Sequence, residues 1–309
     1  MPYRPGSAAL RMAALLLFLL ALLGSGFSYW VGGKLLAPRM ALVGPAPEDL
    51  QAESVIIPGR AGSLHGWWIP GDADKASVLL LHGIRADRTA MLGRARLLAR
   101  HGYSVLLIDL QAHGESPGEA ISLGLRESTG VQLAREWIRR KRPGKPIGAI
   151  GVSLGGASIL LGPSPSGFDA VVLEAVYADA RQALQNRMAI RFGPLAPVLG
   201  KLLEVQVKPR LGVSLDQLRP IEHIAGLGAP VLVIAGGRDR HTTLTESKAL
   251  YARALPPKEL LVLPDAAHQD FERHEPAVYE ARVIAFLDRS LAARCGGAGA
   301  SCGATRPPM

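Results

Sequence analysis

The stretch "IGAIGVSLGGASILL", Ile147 to Leu161, decides the fold. An apolar run enters it, five residues rich in glycine interrupt it, and a second apolar run leaves. The pattern predicts a strand that passes into a helix through one tight turn, with Ser153 at its centre. A serine in that place has two readings. It caps the helix that follows, or it is a nucleophile held above the strand end. The flanking Gly151 and Gly155 favour the second. Side chains at both positions would collide with the neighbouring strand and helix if the turn were as tight as a nucleophile elbow requires.

Outward from this turn the chain alternates short apolar runs with helical periods. "SVIIPG" and "LHGWWIP" read as an early antiparallel pair. "ASVLLLHG", "YSVLLIDL", "IGAIGVS", "FDAVVLEA", "APVLVIAGG" and "KELLVLP" follow as strands buried on both faces. The helical periods between them predict an α/β fold, a mostly parallel sheet covered by helices on both faces. One connection is too long for a simple crossover. Residues 176–228 are rich in apolar residues, Gly and Pro, and predict a helical cap insertion over the carboxyl edge of the sheet, where such folds bind ligands. Within it Met188, Phe192, Leu195, Val198, Leu202 and Leu203 interleave with Arg187, Arg191 and Lys201. Part of the cap could therefore face a lipid surface, or all of it could pack on the core.

A serine hydroxyl needs a base, and the base needs an orienting acid. Two further strand ends offer them. "VLVIAGGRDRHT" presents Asp239 and "ELLVLPDAAHQD" presents His268. Glu174 also stands at a strand end and is the rival acid. His241 lies too early in the chain to serve as base in the order Ser, Asp, His and reads as a loop residue. His82 and His113 read as loop-holding side chains, and Asp270, Glu272 and His274 as capping or solvated residues. The oxyanion would be held by the backbone N–H of Leu154, which follows the serine, and by that of Ile84, after "LLLHG".

These motifs, from "SVLLLHGIRADRTAM" through "LPDAAHQD", resemble the α/β-hydrolases, and most of all a membrane-anchored branch related to the BEM46 and serine aminopeptidase S33-type hydrolases. The resemblance runs from about Ser54 to Ser290. It implies catalytic Ser153, Asp239 and His268, an oxyanion hole at Ile84 and Leu154, and elbow glycines Gly151 and Gly155. It implies no metal and no organic cofactor. The expected activity is that of a serine hydrolase working through an acyl-enzyme on ester or thioester bonds of apolar, small or lipid-like acyl substrates. A serine peptidase or amidase on the same fold is the enzymatic alternative. A catalytically silent binding scaffold is the alternative from another class. In one place the chain departs from its relatives. Gln111-Ala112-His113-Gly114 stands where an Arg-Gly-His-Gly is common, so the loop must be anchored differently.

Bulk properties set the context. The chain has 309 residues, 48% hydrophobic, which suits one large globular domain. Its net charge of +9 is scattered, with one dense run at Arg139 to Lys145 on a helix end, so no nucleic-acid partner is expected. Met12 to Gly33 carries no charge and would span roughly 33 Å as a helix. It reads as an uncleaved anchor, or as a signal peptide cut near Gly24-Ser25-Gly26, or as a buried core helix. The expected organisation is a cytoplasmic N-terminus at 1–11, a transmembrane anchor or signal peptide at 12–33, and a linker at 34–53. An α/β-hydrolase domain follows at 54–290, then a flexible Gly/Ala-rich tail at 291–309. A single-pass membrane protein with the hydrolase domain on the extracytoplasmic side is expected. Cys295 and Cys302 complete no zinc pattern, and spacing alone does not say whether they pair.

Overall fold

The computed structural model describes residues 7–60 and 62–292. The tail cysteines Cys295 and Cys302 and the first six residues lie outside the described residues. Eight strands form one sheet. In chain order they are β1 (Glu53–Ile57), β2 (Leu64–Ile69), β3 (Ser77–Leu81), β4 (Ser104–Ile108), β5 (Ile147–Val152), β6 (Ala170–Glu174), β7 (Val231–Gly236) and β8 (Lys258–Leu263). Their spatial order is β8-β7-β6-β5-β3-β4-β2-β1. The β1–β2 and β2–β4 pairs are antiparallel and the rest are parallel.

The apolar runs become central strands because both of their faces are covered. Val78, Leu79, Leu80 and Leu81 of β3 are all fully buried. Alternate residues go to opposite layers, as the two-residue repeat of a strand demands. Leu79 and Leu81 join the core beneath α3 (Leu125–Lys141) and α4 (Leu154–Leu160). Val78 and Leu80 join the core beneath α2 (Leu92–Arg100) and α11 (Pro276–Ala292). The expected α/β architecture, a mostly parallel sheet with helices on both faces, is the observed one.

The long connection between β6 and β7 is helical. It carries α5 (Ala180–Phe192), α6 (Ala196–Glu204), α7 (Val207–Leu211) and α8 (Pro220–His223). Asp179 caps α5 by accepting from the Arg181 amide at 2.7 Å. Gly212 ends α7 in a left-handed conformation, φ +76°, that favours glycine. The mixed apolar and basic sequence of this segment divides in space. Met188 and Leu203 are buried, whereas Phe192, Leu195, Val198, Leu202 and Val205 are exposed. Between β7 and β8 runs α9 (Leu244–Arg253), and the short α10 (Phe271–His274) precedes α11.

The N-terminal helix α1 (Ser7–Leu36) is long and apolar enough over Leu10–Leu36 to cross a membrane. Leu15, Leu16, Phe18, Leu22, Leu23 and Phe27 are exposed. Its last turns instead meet the body, and α6 packs against it. The chain between α1 and β1 is also tied down. Arg39 and Met40 pair in parallel with His113 and Gly114.

Two buried ionic groups brace the helices against the sheet. Arg94 of α2 grips Glu174 at the end of β6 with two hydrogen bonds, 3.0 and 2.5 Å. The Tyr279 hydroxyl of α11 donates to the same carboxylate at 2.5 Å. Arg94 also reaches Asp270 at 2.9 Å. Arg94 and Glu174 are almost fully buried, so removing one partner strands the other charge in the core. The Arg94→Met change should therefore lower stability by about 3–5 kcal/mol in a denaturant titration, and Arg94→Met with Glu174→Gln should recover part of that loss. Equal stabilities for the single and double variants would show that the pair is not coupled.

Candidate active site

Ser153 sits between β5 and α4 with φ +49° and ψ −107°, a conformation rarely held by a residue with a side chain. The surrounding packing imposes it. A Cβ on Gly151 would lie 2.5 Å from the Gly156 amide nitrogen, and one on Gly155 would run into the carbonyl oxygen of Leu81. Strand, helix and the neighbouring β3 approach so closely that glycine is required at both flanks. The Ser153 amide is held by the carbonyl of Glu174 at 2.8 Å. Its side chain makes no capping bond, and the buried Oγ has no hydrogen-bond partner among the described residues. The capping reading of this serine is thus not what its side chain does.

Asp239 leaves the end of β7 in a loop that turns directly into α9, whose start is fixed by a Thr243–Glu246 capping box. Four donors meet its carboxylate. Oδ1 accepts from the amides of His241, 2.7 Å, and Thr242, 2.9 Å. Oδ2 accepts from the Thr242 hydroxyl at 2.7 Å and from His268 Nδ1–H at 2.7 Å. Burial alone would raise the Asp239 pKa. The hydrogen bond and charge of His268, with the Thr242 donors, outweigh burial and hold the carboxyl below its ordinary range. With Nδ1 donating, the neutral His268 ring keeps Nε2 as its proton acceptor.

Glu174, the rival acid, is engaged by Arg94 and Tyr279 and is not bonded to His268. His241 lies beside His268 with ring centres 5.0 Å apart. Its buried Nδ1 has no partner, and burial, then the charges of His268 and Arg187, lower its pKa. Asp270 caps α10 and anchors to Arg94, which ties the loop just after His268 to α2.

Two spaces meet at Ser153. One is a cleft of mixed lining, in which Ser153, His268, His241 and Asp270 stand among apolar residues such as Ile84, Met91 and Val152. The other is an apolar cavity beneath the cap, lined by Leu154, Leu184, Leu203, Val207 and Leu215 among others. Ile84, Ser153 and Arg187 border both. The amides of Leu154 and Ile84 make no hydrogen bond to other described residues.

Sequence reasoning missed three contributors. Thr242 completes the Asp239 cage, and its only signal was its place three residues after the aspartate. Arg187 projects from the cap into the site, a tertiary event with no local signature. Arg88 supplies the loop anchor that the Gln111-Ala112-His113-Gly114 segment lacks. It binds the buried Asp109 and also Glu115, the latter at 2.5 Å.

The loop carrying Gly83 and Ile84 depends on a neutral His82. Its Nδ1–H donates to the Gly83 carbonyl at 2.8 Å, and its Nε2 accepts the Leu110 amide at 3.0 Å. A second proton would destroy the latter bond.

Comparisons with known proteins agree with this architecture. The profile described as "Alpha/beta hydrolase family" matches residues 78–282. An uncharacterized protein of Mycobacterium tuberculosis is 32% identical over 252 residues, covering 80% of this chain and 79% of the relative. Human protein ABHD12B is 28% identical over 182 residues, 56% of this chain and 48% of its own. Among solved structures, the Pyrococcus furiosus esterase Pf2001 superposes with a TM-score of 0.70 at 25% identity, covering 83% of this chain and 98% of that one. The fold is the α/β-hydrolase fold.

Burial lowers the pKa of both His82 and His113 to about 4. The unfolded chain takes up these protons near pH 6.5, whereas the folded chain refuses them until about pH 4. The stability contributed by the neutral rings is complete above about pH 6.5 and is lost as pH falls towards the folded values. Denaturation midpoints should fall between neutral pH and pH ~4.5, and His113→Gln should flatten that dependence. An unchanged slope in His113→Gln would remove this ring from the account.

Proposed function

Because the chain belongs to the alpha/beta hydrolase family, we propose that it is a membrane-anchored serine hydrolase that cleaves esters or thioesters of apolar acyl groups. The observation that carries this reading is the junction at Ser153. An unpartnered buried hydroxyl stands where an apolar cavity meets a cleft containing an aspartate-bonded imidazole.

In this reading Ser153 is the nucleophile. Its Oγ attacks the acyl carbonyl carbon while its proton passes to His268 Nε2. Asp239 holds the imidazole in the tautomer that can accept the proton and balances the imidazolium that results. The carbonyl electrons collect on an oxygen facing the amides of Leu154 and Ile84, at the start of α4. Collapse expels the alkoxide or thiolate, which takes the proton from His268, and leaves the acyl group on Ser153. Water then repeats the sequence and releases the acid. The cavity's aliphatic walls suit the acyl part, and the cleft beside His268 has room for the leaving group. The name of the Pyrococcus esterase supports the same bond type.

Membrane attachment rests on α1 and on the cap. The exposed apolar side chains from Leu10 to Phe27 would be costly in water. The exposed Phe192, Leu195, Val198 and Leu202 of the cap add apolar surface on the segment that packs against α1. Immersing α1 in a bilayer would set the cap against its surface. In this reading the hydrolase domain stands on the extracytoplasmic side, and the slight positive bias before the helix is its support.

Ser153→Ala should abolish ester hydrolysis and fluorophosphonate labelling, with a loss on the order of 10⁶ in turnover and an intact fold. Retained labelling in a folded variant would point to another nucleophile, and a folded wild-type protein that neither labels nor hydrolyses esters would be a silent scaffold. Asp239→Asn should lower turnover by about 10⁴, because the amide favours the wrong imidazole tautomer. A folded Asp239→Asn enzyme with near-normal turnover would place the acid elsewhere.

A further inference from the structure

The apolar cavity is closed on one side by the N-terminal helix. Gly32, Leu35 and Leu36 of α1 border it together with Ser153 and Leu154, and the surface it presents is almost wholly apolar. These three residues lie at i, i+3 and i+4, one face of a helix.

That face is held in place by named contacts. Ser28, one turn before Gly32, accepts from Gln206 Nε2 at 2.8 Å. Val31 packs on the cluster of Met188, Ala196 and Leu203. The Arg210 guanidinium donates to the Tyr29 carbonyl and lies 4.0 Å from the centre of the Tyr29 ring. The Leu36 carbonyl accepts from the Ile121 amide at 2.8 Å, and the Lys34 carbonyl accepts from Arg85 at 3.2 Å. Gly32 is in close contact, since a Cβ there would fall 2.5 Å from Gln206 Oε1. The polar ends of Gln206, Arg210 and Arg85 are therefore engaged by α1. One helix thus has two environments, apolar and exposed before Ser28, and docked on the cap after it.

We infer that the last two turns of α1 form a wall of the acyl-chain site, so that the segment that anchors the protein also sets which acyl chains it accepts. The inference rests on the proposed hydrolase reading and adds the substrate's chain length to it. The cavity encloses about 180 Å³ of free space. A dry apolar cavity of roughly 150 Å³ takes up benzene. This one is only slightly larger and suits an aliphatic group of short to medium length, the tail of a single-chain amphiphile. Such a substrate partitions into the bilayer that α1 would occupy.

The test uses the full chain in detergent micelles and a series of para-nitrophenyl esters from butanoyl to tetradecanoyl. Gly32→Leu adds a branched side chain at the cavity's edge, against Gln206 and Arg210, which also line it. The ratio of kcat/KM for long over short esters should fall about tenfold or more, the scale of losing a few buried methylenes. Leu35→Ala removes wall and should move the preferred chain to a longer one. Leu16→Ala, on the exposed part of α1, should keep the wild-type ratio. A Gly32→Leu protein with normal melting and a ratio within about twofold of wild type would overturn the inference, since the expected loss is much larger. If Gly32→Leu does not fold, Leu35→Ala decides, and an unmoved optimum overturns it. Ser153→Ala run on the same esters separates the two levels. Hydrolysis abolished at every length, with chain preference insensitive to α1, would leave the hydrolase standing and remove the wall. Hydrolysis that survives Ser153→Ala would remove Ser153 as the nucleophile, and with it the reading on which the wall rests.

Discussion

The close approach of β5, α4 and β3 around Ser153 is the constraint on which the rest of the site depends. With glycine at 151 and 155 the strand can turn into the helix within one residue, and that residue must then take a positive φ. The cost of such a conformation, of order 1–3 kcal/mol, is tolerable only because the buried sheet on either side over-determines it. The turn fixes the Ser153 hydroxyl at the carboxyl edge of the sheet. It also leaves the Leu154 amide free of a helical partner, as the first turn of any helix must. Every other feature of the site is arranged around that one oxygen.

Buried ionic groups position the loops that reach it. Arg94 joins α2 to the end of β6, to α11 and to the loop after His268. Arg88 joins the loop after β3 to Asp109 and Glu115 beyond β4. Such groups are poor sources of net stability, because desolvation offsets much of the attraction. They are directional, however, and each bridges segments that are remote in sequence. Their consequence here is placement of the Ile84 loop and of His268, which are brought to Ser153 from different strand ends.

The cap and α1 give the site its apolar side. α5, α6 and α7 do not close the cavity by themselves, for part of its lining comes from Gly32, Leu35 and Leu36. The same cap presents Phe192, Leu195 and Val198 outward. The exposed apolar surface of the cap and the apolar cavity lining therefore belong to one structural unit.

The sheet was legible in the sequence because buried parallel strands must be continuously apolar, and Val78–Leu81 or Val231–Ile234 could hardly be anything else. Ser153 with its two glycines was legible because a tight turn restricts residue type locally. Asp239 and His268 were legible from their places just after strand ends, and their pairing was expected there, with Glu174 as the rival acid. Glu174 occupies an equivalent place in the chain. Only the fold shows that its side chain is taken up by Arg94 and Tyr279 while Asp239 is bonded to His268. Arg88, Arg187 and the α1 wall left no trace in local pattern. An apolar helix near the N-terminus reads the same whether its end is free or docked. Its role in the cavity depends on contacts between residues more than 150 positions apart, such as Ser28 and Gln206. Local sequence fixes what a segment is able to form, because propensity and periodicity act over a few residues. Which buried charge meets which, and what closes a cavity, is decided by packing between distant segments, and that is a property of the tertiary structure alone.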